Sequence, residues 1–221
     1  MVRERPDEPW RRGAPTEPGT AWERLAAGAY VGARDGNLSP DTAFDLACFL
    51  MEWAAPNRLF DDLAAASLAG DDPDRLAGLV RRALDAVGYV PDFAIEPRLL
   101  AQLERALATV APDLRATGLN GHARLVVMEG AEPPRAHVRY EGGTGHTSGL
   151  GPGDAAGCRG ADLLVTVADE LQDAVMDALA AAWPVCPEHQ FGAHPRALDG
   201  AAVWWCAGGA GHVISPIGRL G

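Results

Sequence analysis

Sulfur and imidazole side chains are concentrated in one segment of the sequence, from Trp183 to Arg219. Two of the four cysteines and three of the six histidines of the chain lie in this segment. Thiolate and imidazole are the ligands that Zn²⁺ prefers in tetrahedral geometry. The segment therefore predicts a small zinc site, and its candidate ligands are Cys186, His189, His194, Cys206 and His212.

The spacing of these residues indicates how an ion would be held. Only two residues separate Cys186 from His189, so a single turn can present both side chains. Cys206 ends a predicted strand, and a glycine-rich turn leads from it to His212. His194 follows His189 at a spacing that is usual for zinc-binding imidazoles. We therefore expect Cys186, His189 and Cys206 to bind with His194 as the fourth ligand, and His212 is the alternative.

Two other interpretations of this segment stay open at the level of sequence. In one, both cysteines are buried core thiols and the histidines are surface or capping residues. In the other, the ion is catalytic and keeps an open position for a water molecule. The zinc-deaminase pattern and the His-Glu-x-x-His motif are both absent from the sequence. The pattern therefore favours a structural zinc ion over a catalytic one.

A glycine-rich stretch at 142–160 contains the second group of polar residues. His146, Thr147 and Ser148 could supply donors for an anion or a small molecule. The glycine spacing differs from the dinucleotide-binding fingerprint, and Thr147 stands where a nucleophile elbow needs serine. Long loops of this kind are often mobile. The stretch therefore favours a mobile loop, with a small enzyme site around His146 as the alternative.

Charge and composition exclude several classes of function. The net charge is −11, from 30 acidic and 19 basic residues, and an acidic surface opposes nonspecific binding of nucleic acid. All of the basic residues are arginine. Phosphate loops of the Walker type, Schiff-base sites and Ser–Lys nucleophile pairs need a lysine, so the sequence excludes all three. We expect no nucleic-acid partner.

The start of the sequence bears on cellular location. Residues 1–19 are charged and proline-rich, and they predict a disordered arm. A secretory signal needs a continuous apolar stretch, and a membrane span needs about eighteen apolar residues. Neither pattern occurs, so we expect a cytoplasmic protein without a membrane partner. In a reducing cytoplasm the cysteines are expected to be thiols or metal ligands.

Hydrophobic periodicity predicts the elements that position the candidate ligands. From 20 to 118, apolar residues recur at helical spacing and indicate about five antiparallel helices. After residue 120 the pattern changes to two strands, a long helix at 161–182 and a second hairpin with strands at 201–206 and 212–217. An antiparallel sheet covered by one helix is the expected architecture for that half.

The fold class that follows is α+β, with an N-terminal helical bundle followed by a small antiparallel ββαββ domain. The predicted organisation is a disordered arm at 1–19, a helical region at 20–118 and the ββαββ domain at 119–221. The second hairpin of that domain carries most of the cysteine and histidine residues described above.

A motif of tryptophan, proline and cysteine residues runs through the same C-terminal quarter. It begins with Leu-Gln-Asp-Ala-Val-Met at 171–176 and Trp-Pro-Val-Cys-Pro-Glu-His at 183–189. It continues with His194 and Pro195, with Trp205 and Cys206, and with Pro-Ile-Gly at 216–218. This motif resembles a tail found in actinobacterial proteins. No established activity is associated with that tail. The resemblance implies an actinobacterial origin and a cytosolic domain.

The sequence as a whole favours a cytosolic binding or regulatory module that acts through contacts with a protein partner and carries a structural zinc ion. The alternative is a small enzyme that uses the region around His146 or an open metal site. The identity of the partner and the oligomeric state are not determined by the sequence.

Overall fold

The computed structural model describes residues 20–128, 134–141 and 149–221. The predicted arm at 1–19 and residues 142–148 of the glycine-rich stretch, which include His146, lie outside the described residues. The helices and strands are numbered below in chain order.

The first half of the chain forms helices whose starts can be read from the sequence. They are α1 (Thr20–Asp35), α2 (Pro40–Trp53), α3 (Arg58–Ala69) and α4 (Pro73–Ala86). The side chains of Ser39, Asn57 and Asp72 cap α2, α3 and α4 by accepting hydrogen bonds from backbone N–H groups of the first turn. The buried residues of these helices are mostly alanine and leucine. Small alanine side chains let the helices pack closely.

The second half contains the remaining described helices and all of the described strands. Its elements are α5 (Pro97–Val110), α6 (Pro112–Ala116), β1 (Ala123–Met128), β2 (Arg135–Tyr140), α7 (Pro152–Gly157), α8 (Ala161–Leu179), β3 (His194–Leu198), β4 (Ala201–Cys206) and β5 (His212–Pro216). In the described part of the chain, no helix combines the length and apolar character needed to cross a membrane.

The strands form two antiparallel sheets. Strand β1 pairs with β2, and a second sheet has the order β3-β4-β5 with β4 in the centre. The predicted α+β class with a helical N-terminal part is therefore confirmed. The second sheet has one strand more than the predicted hairpin, namely β3. The sequence did not predict β3 because it reads His-Pro-Arg-Ala-Leu and lacks the β-branched and aromatic residues that identify strands.

The packing of the chain divides it into two compact units, with the boundary between Pro91 and Asp92. Helices α5 and α6 fall in the second unit, although hydrophobic periodicity grouped them with the helical region at 20–118. The reason is that α5 packs against α7, α8 and β1. Periodicity identifies a helix and its apolar face, but it does not identify the element that covers that face.

Helix α8 is the element around which the second unit packs. It contacts α5 and α7 on the helical side, and β2, β3 and β4 on the side of the strands. The residues Val167, Ala168, Leu171, Ala174 and Val175 of this helix are fully buried. The helix ends at Leu179, where Ala180 adopts the left-handed conformation that closes many helices.

A buried carboxylate holds the C-terminal residues in place. Asp113 of α6 is 0% exposed, and its Oδ2 accepts hydrogen bonds from Trp204 Nε1–H and from the Gly218 backbone N–H, both at 2.7 Å. Its Oδ1 accepts from the Leu220 backbone N–H at 2.9 Å. A buried carboxylate is tolerated only where hydrogen bonds replace its hydration. The side chain of Asp113 therefore joins α6, β4 and the last residues of the chain.

A second buried group fixes the residues that lead into the first candidate ligand. The Gln172 side-chain amide donates to the backbone oxygens of Trp183 and Ala193, both at 2.6 Å. The indole N–H of Trp183 donates to Thr117 Oγ1 at 2.7 Å, and its ring packs edge-on against Trp204 at 5.5 Å. The segment from Trp183 to Ala193 is thus held at both ends by α8.

We predict that Asp113→Asn lowers the free energy of unfolding of the second unit by about 3 kcal/mol, because the substituted amide leaves buried donors without a full set of acceptors. Chemical denaturation followed by tryptophan fluorescence measures the change. Asp162→Asn, an exposed carboxylate in the first turn of α8, is the matched control and should cost at most about 1 kcal/mol. Equal losses for the two variants would show that the buried hydrogen bonds of Asp113 have no special role.

Candidate metal centre

The structure brings four of the five candidate ligands together. Cys186, His189, Cys206 and His212 each offer one ligand atom, and these atoms all lie within 4.8 Å of one another. We call these four residues the Cys/His cluster. The cluster could hold a metal ion.

A tight turn presents the first two members of the cluster. The Cys186 backbone N–H donates to the Phe191 oxygen at 2.8 Å, and the Gln190 N–H donates to the Cys186 oxygen at 2.9 Å. Gln190 has a φ of 58°, which lets the chain reverse direction there. The turn folds His189 back onto Cys186, so that its Nδ1 lies 3.8 Å from the sulfur.

The β4–β5 hairpin presents the other two members. Cys206 is the last residue of β4 and lies opposite His212, the first residue of β5. Residues that are directly opposite in an antiparallel pair project from the same face of the sheet. The hairpin therefore places the Cys206 thiol and the His212 imidazole side by side.

Gly208, in the turn between these strands, was not singled out by the sequence analysis. Its backbone N–H donates to Cys206 Sγ at 3.3 Å. A β-carbon at this position would lie 2.5 Å from Cγ of His189, so only glycine lets the imidazole pack against the turn. The Cys-x-Gly spacing was the available signal, because an N–H two residues after a cysteine is well placed to stabilise its thiolate.

Two sulfur–nitrogen distances within the cluster match those of a tetrahedral zinc site. Zn–S bonds of about 2.3 Å and Zn–N bonds of about 2.1 Å, at the tetrahedral angle, place sulfur and nitrogen about 3.6 Å apart. Cys206 Sγ lies 3.6 Å from His189 Nδ1, and Cys186 Sγ lies 3.6 Å from His212 Nε2. These two sulfur–nitrogen pairs have the separation of a zinc tetrahedron, and Cys186 Sγ and His189 Nδ1 are slightly farther apart at 3.8 Å.

The cluster is closed on the side of its sulfur atoms and more open on the side of its imidazoles. Cys186 and Cys206 are both 0% exposed, whereas 31% of the His212 side chain is exposed. The exposed carboxylate of Glu188 lies 3.9 Å from His212 Nε2. The ring of Phe191 stacks on His189 and is itself 59% exposed.

The two thiols differ in acidity. Burial opposes ionisation of Cys186, but hydrogen bonds from His189 and from the Glu188 backbone outweigh it and lower the pKa of this thiol to about 6. Burial raises the pKa of Cys206, and the Cys186 thiolate raises it further, although the Gly208 N–H acts in the opposite direction. Because its pKa is about 6, Cys186 is ionised at neutral pH. Metal ions bind thiolate and not thiol, so this sulfur is in the form that binds metal.

His194 is not a member of the cluster, and the expectation that it would be the fourth ligand is corrected by the structure. It lies opposite Trp205 in the β3–β4 pairing and shares a sheet face with that residue. Because successive residues of a strand project from opposite faces, Cys206 lies on the other face. His194 instead lies near Asp169 of α8. Burial and the Asp173 carboxylate raise the pKa of Asp169, and His194 acts in the opposite direction.

We predict two separate thiolate steps when a metal-free Cys48→Ser, Cys158→Ser variant, which retains only Cys186 and Cys206, is titrated. Ultraviolet absorbance of the thiolate should increase with a midpoint at a pH of about 6, from Cys186, and again above the usual thiol range, from Cys206. Cys186→Ser should lack the first step. A single step near the ordinary thiol pKa of about 8.5 would contradict the assignment.

The lowered pKa of Cys186 also determines how the stability of the metal-free protein changes with pH. Folding lowers the pKa of Cys186, so its thiolate stabilises the folded metal-free protein above the ordinary thiol pKa. This contribution decreases as the pH falls through about 6. The difference in stability between the metal-free protein and its Cys186→Ser variant should therefore become smaller on acidification.

The Cys/His cluster has to be interpreted from its own geometry. Comparison of the chain with protein-family models, with curated proteins and with solved structures finds no match in any of the three.

Proposed function

We propose that the Cys/His cluster holds a structural zinc ion and that the chain is a cytoplasmic binding or regulatory module that acts through protein contacts. The observation that carries the proposal is the convergence of four ligand atoms within 4.8 Å of one another. These atoms come from two turns that are separate in sequence, so local chain geometry alone does not account for their meeting.

The types of ligand favour zinc among the metals of the cell. Two thiolates with two imidazoles form a tetrahedral set of the kind found in structural zinc sites. Magnesium and calcium prefer oxygen ligands in larger coordination shells. The sulfur–nitrogen separations of 3.6 Å agree with the edge of a zinc tetrahedron.

The number and burial of the ligands favour a structural role. Four protein ligands complete a tetrahedron and leave no position for a water molecule, which a catalytic zinc ion needs. The ion would cross-link the turn at 186–191 to the β4–β5 hairpin. Because binding free energy at such a site adds to the stability of the folded state, the ion would hold the C-terminal region together. A reducing cytoplasm would keep both thiols available as ligands.

The surface around the cluster supports a role in protein contacts. Val185, Phe191 and Val213 are apolar residues that are 42%, 59% and 40% exposed. Val185 precedes Cys186, Phe191 stacks on His189, and Val213 follows His212. An ion in the cluster would therefore order the residues that present these apolar side chains.

The zinc proposal predicts that the purified protein contains about one zinc ion per chain, measured by elemental analysis. Cys186→Ser and His212→Ala should each lose the ion and lower the melting temperature of the second unit. Chelators and acid should have the same effect, because histidine must be neutral and cysteine ionised to bind.

The chain offers a matched control for each substitution. Cys48→Ser removes a free thiol from α2 of the first unit, and His194→Ala removes the histidine on the opposite face of the sheet. Both variants should retain zinc. A His194→Ala protein that loses zinc while His212→Ala retains it would contradict the ligand set, and wild-type protein without metal would contradict the proposal.

The protein-contact proposal predicts that Phe191→Ala keeps the zinc ion and the melting temperature but loses a protein partner recovered by cross-linking in cells. Removal of an aromatic side chain from the centre of an interface typically weakens binding by at least about tenfold. Leu68→Ala is the control, because Leu68 is 74% exposed and lies in α3 of the first unit. Identical sets of cross-linked proteins for wild type and Phe191→Ala would argue against this surface.

A further inference from the structure

The second unit contains a cleft that shares no residue with the Cys/His cluster. It has a volume of about 710 Å³ and lies between α5, α7 and α8. Cavities that bind small molecules in proteins typically have volumes of about 300–1,000 Å³. The cleft is therefore large enough for a metabolite.

One part of the cleft wall is apolar. Leu99 and Ala106 of α5 face it from one side, and Leu163 and Leu164 of α8 face it from the other. Leu163, Leu164 and Ala106 are only partly buried by the core of the unit. These side chains leave apolar surface in contact with water, and a ligand with an apolar portion would cover that surface.

Two guanidinium groups line the same cleft. Arg105 belongs to α5, and Arg159 belongs to the short connection between α7 and α8. Within the described parts of the chain, neither side chain forms a salt bridge, and no carboxylate lines the cleft. The chain as a whole has 30 acidic residues against 19 basic ones, whereas the charged residues that line this cleft are both arginine.

Further polar groups lie along the same wall. Gln102 and Thr109 are three residues before and four residues after Arg105, so α5 presents all three on one face of the helix. The Gln102 amide can complete the hydrogen bonding of an anionic group that arginine binds through two N–H donors, whereas the Thr109 hydroxyl already donates to the Arg105 backbone oxygen at 3.0 Å. The cleft thus combines an apolar wall with a cationic polar one.

We propose that this cleft binds a small amphiphilic anion, in which a carboxylate or phosphate group contacts Arg105 and Arg159 and a short apolar chain contacts the leucine side chains. Arginine binds either anionic group well, because its planar donors match two oxygens. The proposal is independent of zinc, since the cleft and the Cys/His cluster have no residue in common.

Cys158 provides a direct readout, because this free and partly exposed cysteine also lines the cleft. The full-length protein is labelled with N-ethylmaleimide in the presence of octanoate, of octyl phosphate or of 1-octanol, and the rate at each cysteine is measured by peptide mass spectrometry. Octanoate and octyl phosphate should slow labelling of Cys158, with half of the maximal protection at or below about 1 mM. The anion that protects Cys158 at the lower concentration has the preferred head group.

Two comparisons distinguish specific binding from general effects of the probes. The uncharged 1-octanol should protect Cys158 at least about tenfold more weakly, because it lacks the charge-assisted hydrogen bonds. Labelling of Cys48, in the first unit, should not change with any probe.

Substitution of the arginines tests their role in binding. The double variant Arg105→Gln with Arg159→Gln should weaken protection by the two anions by about tenfold or more, whereas Arg124→Gln, an exposed arginine of β1 outside the cleft, should leave it unchanged. Both arginines are exposed, so the variants should fold normally. Absence of protection by either anion, equal protection by 1-octanol, or full protection in the double variant would each overturn the proposal.

Discussion

The position of the C-terminal region depends on one buried carboxylate. Asp113 accepts hydrogen bonds from the Trp204 indole and from the backbone of Gly218 and Leu220, and it has no contact with water. Each of these donors would lose its partner if the C-terminal residues moved away from α6. Because an unsatisfied buried carboxylate is costly, the hydrogen bonds favour a single arrangement. Strand β4 is held by this arrangement, and Cys206 follows Trp204 by two residues on the same strand.

The other half of the Cys/His cluster depends on a separate buried group. Gln172 of α8 binds the backbone oxygens of Trp183 and Ala193, which flank the turn that carries Cys186 and His189. The two anchors reach the two turns from different helices, and the side chains of Trp183 and Trp204 pack against each other between them. Hydrogen bonds from α6 and α8 therefore hold the residues on either side of the cluster. An ion bound by the cluster would add a cross-link between the two turns.

The second unit combines two features that use its helices differently. The hydrogen bonds of α6 and α8 position the Cys/His cluster, whereas the outer faces of α5 and α8 line the cleft that contains Arg105 and Arg159. A closed tetrahedral site stabilises a fold, and an open cleft of about 710 Å³ can exchange a small ligand with solvent.

Local features of this protein followed from the sequence, because hydrophobic periodicity, helix caps and ligand types depend on neighbouring residues. The α+β class and the membership of Cys186, His189 and Cys206 in one candidate site were predicted in this way. The choice between His194 and His212 required the pairing of β3, β4 and β5, since strand register decides which face each side chain takes. The buried role of Asp113 could not be predicted either, because in the sequence it resembles any exposed carboxylate at a helix start. Only the tertiary structure shows that its hydrogen-bond donors come from residues 91 to 107 positions away, and interactions at that distance leave no local pattern.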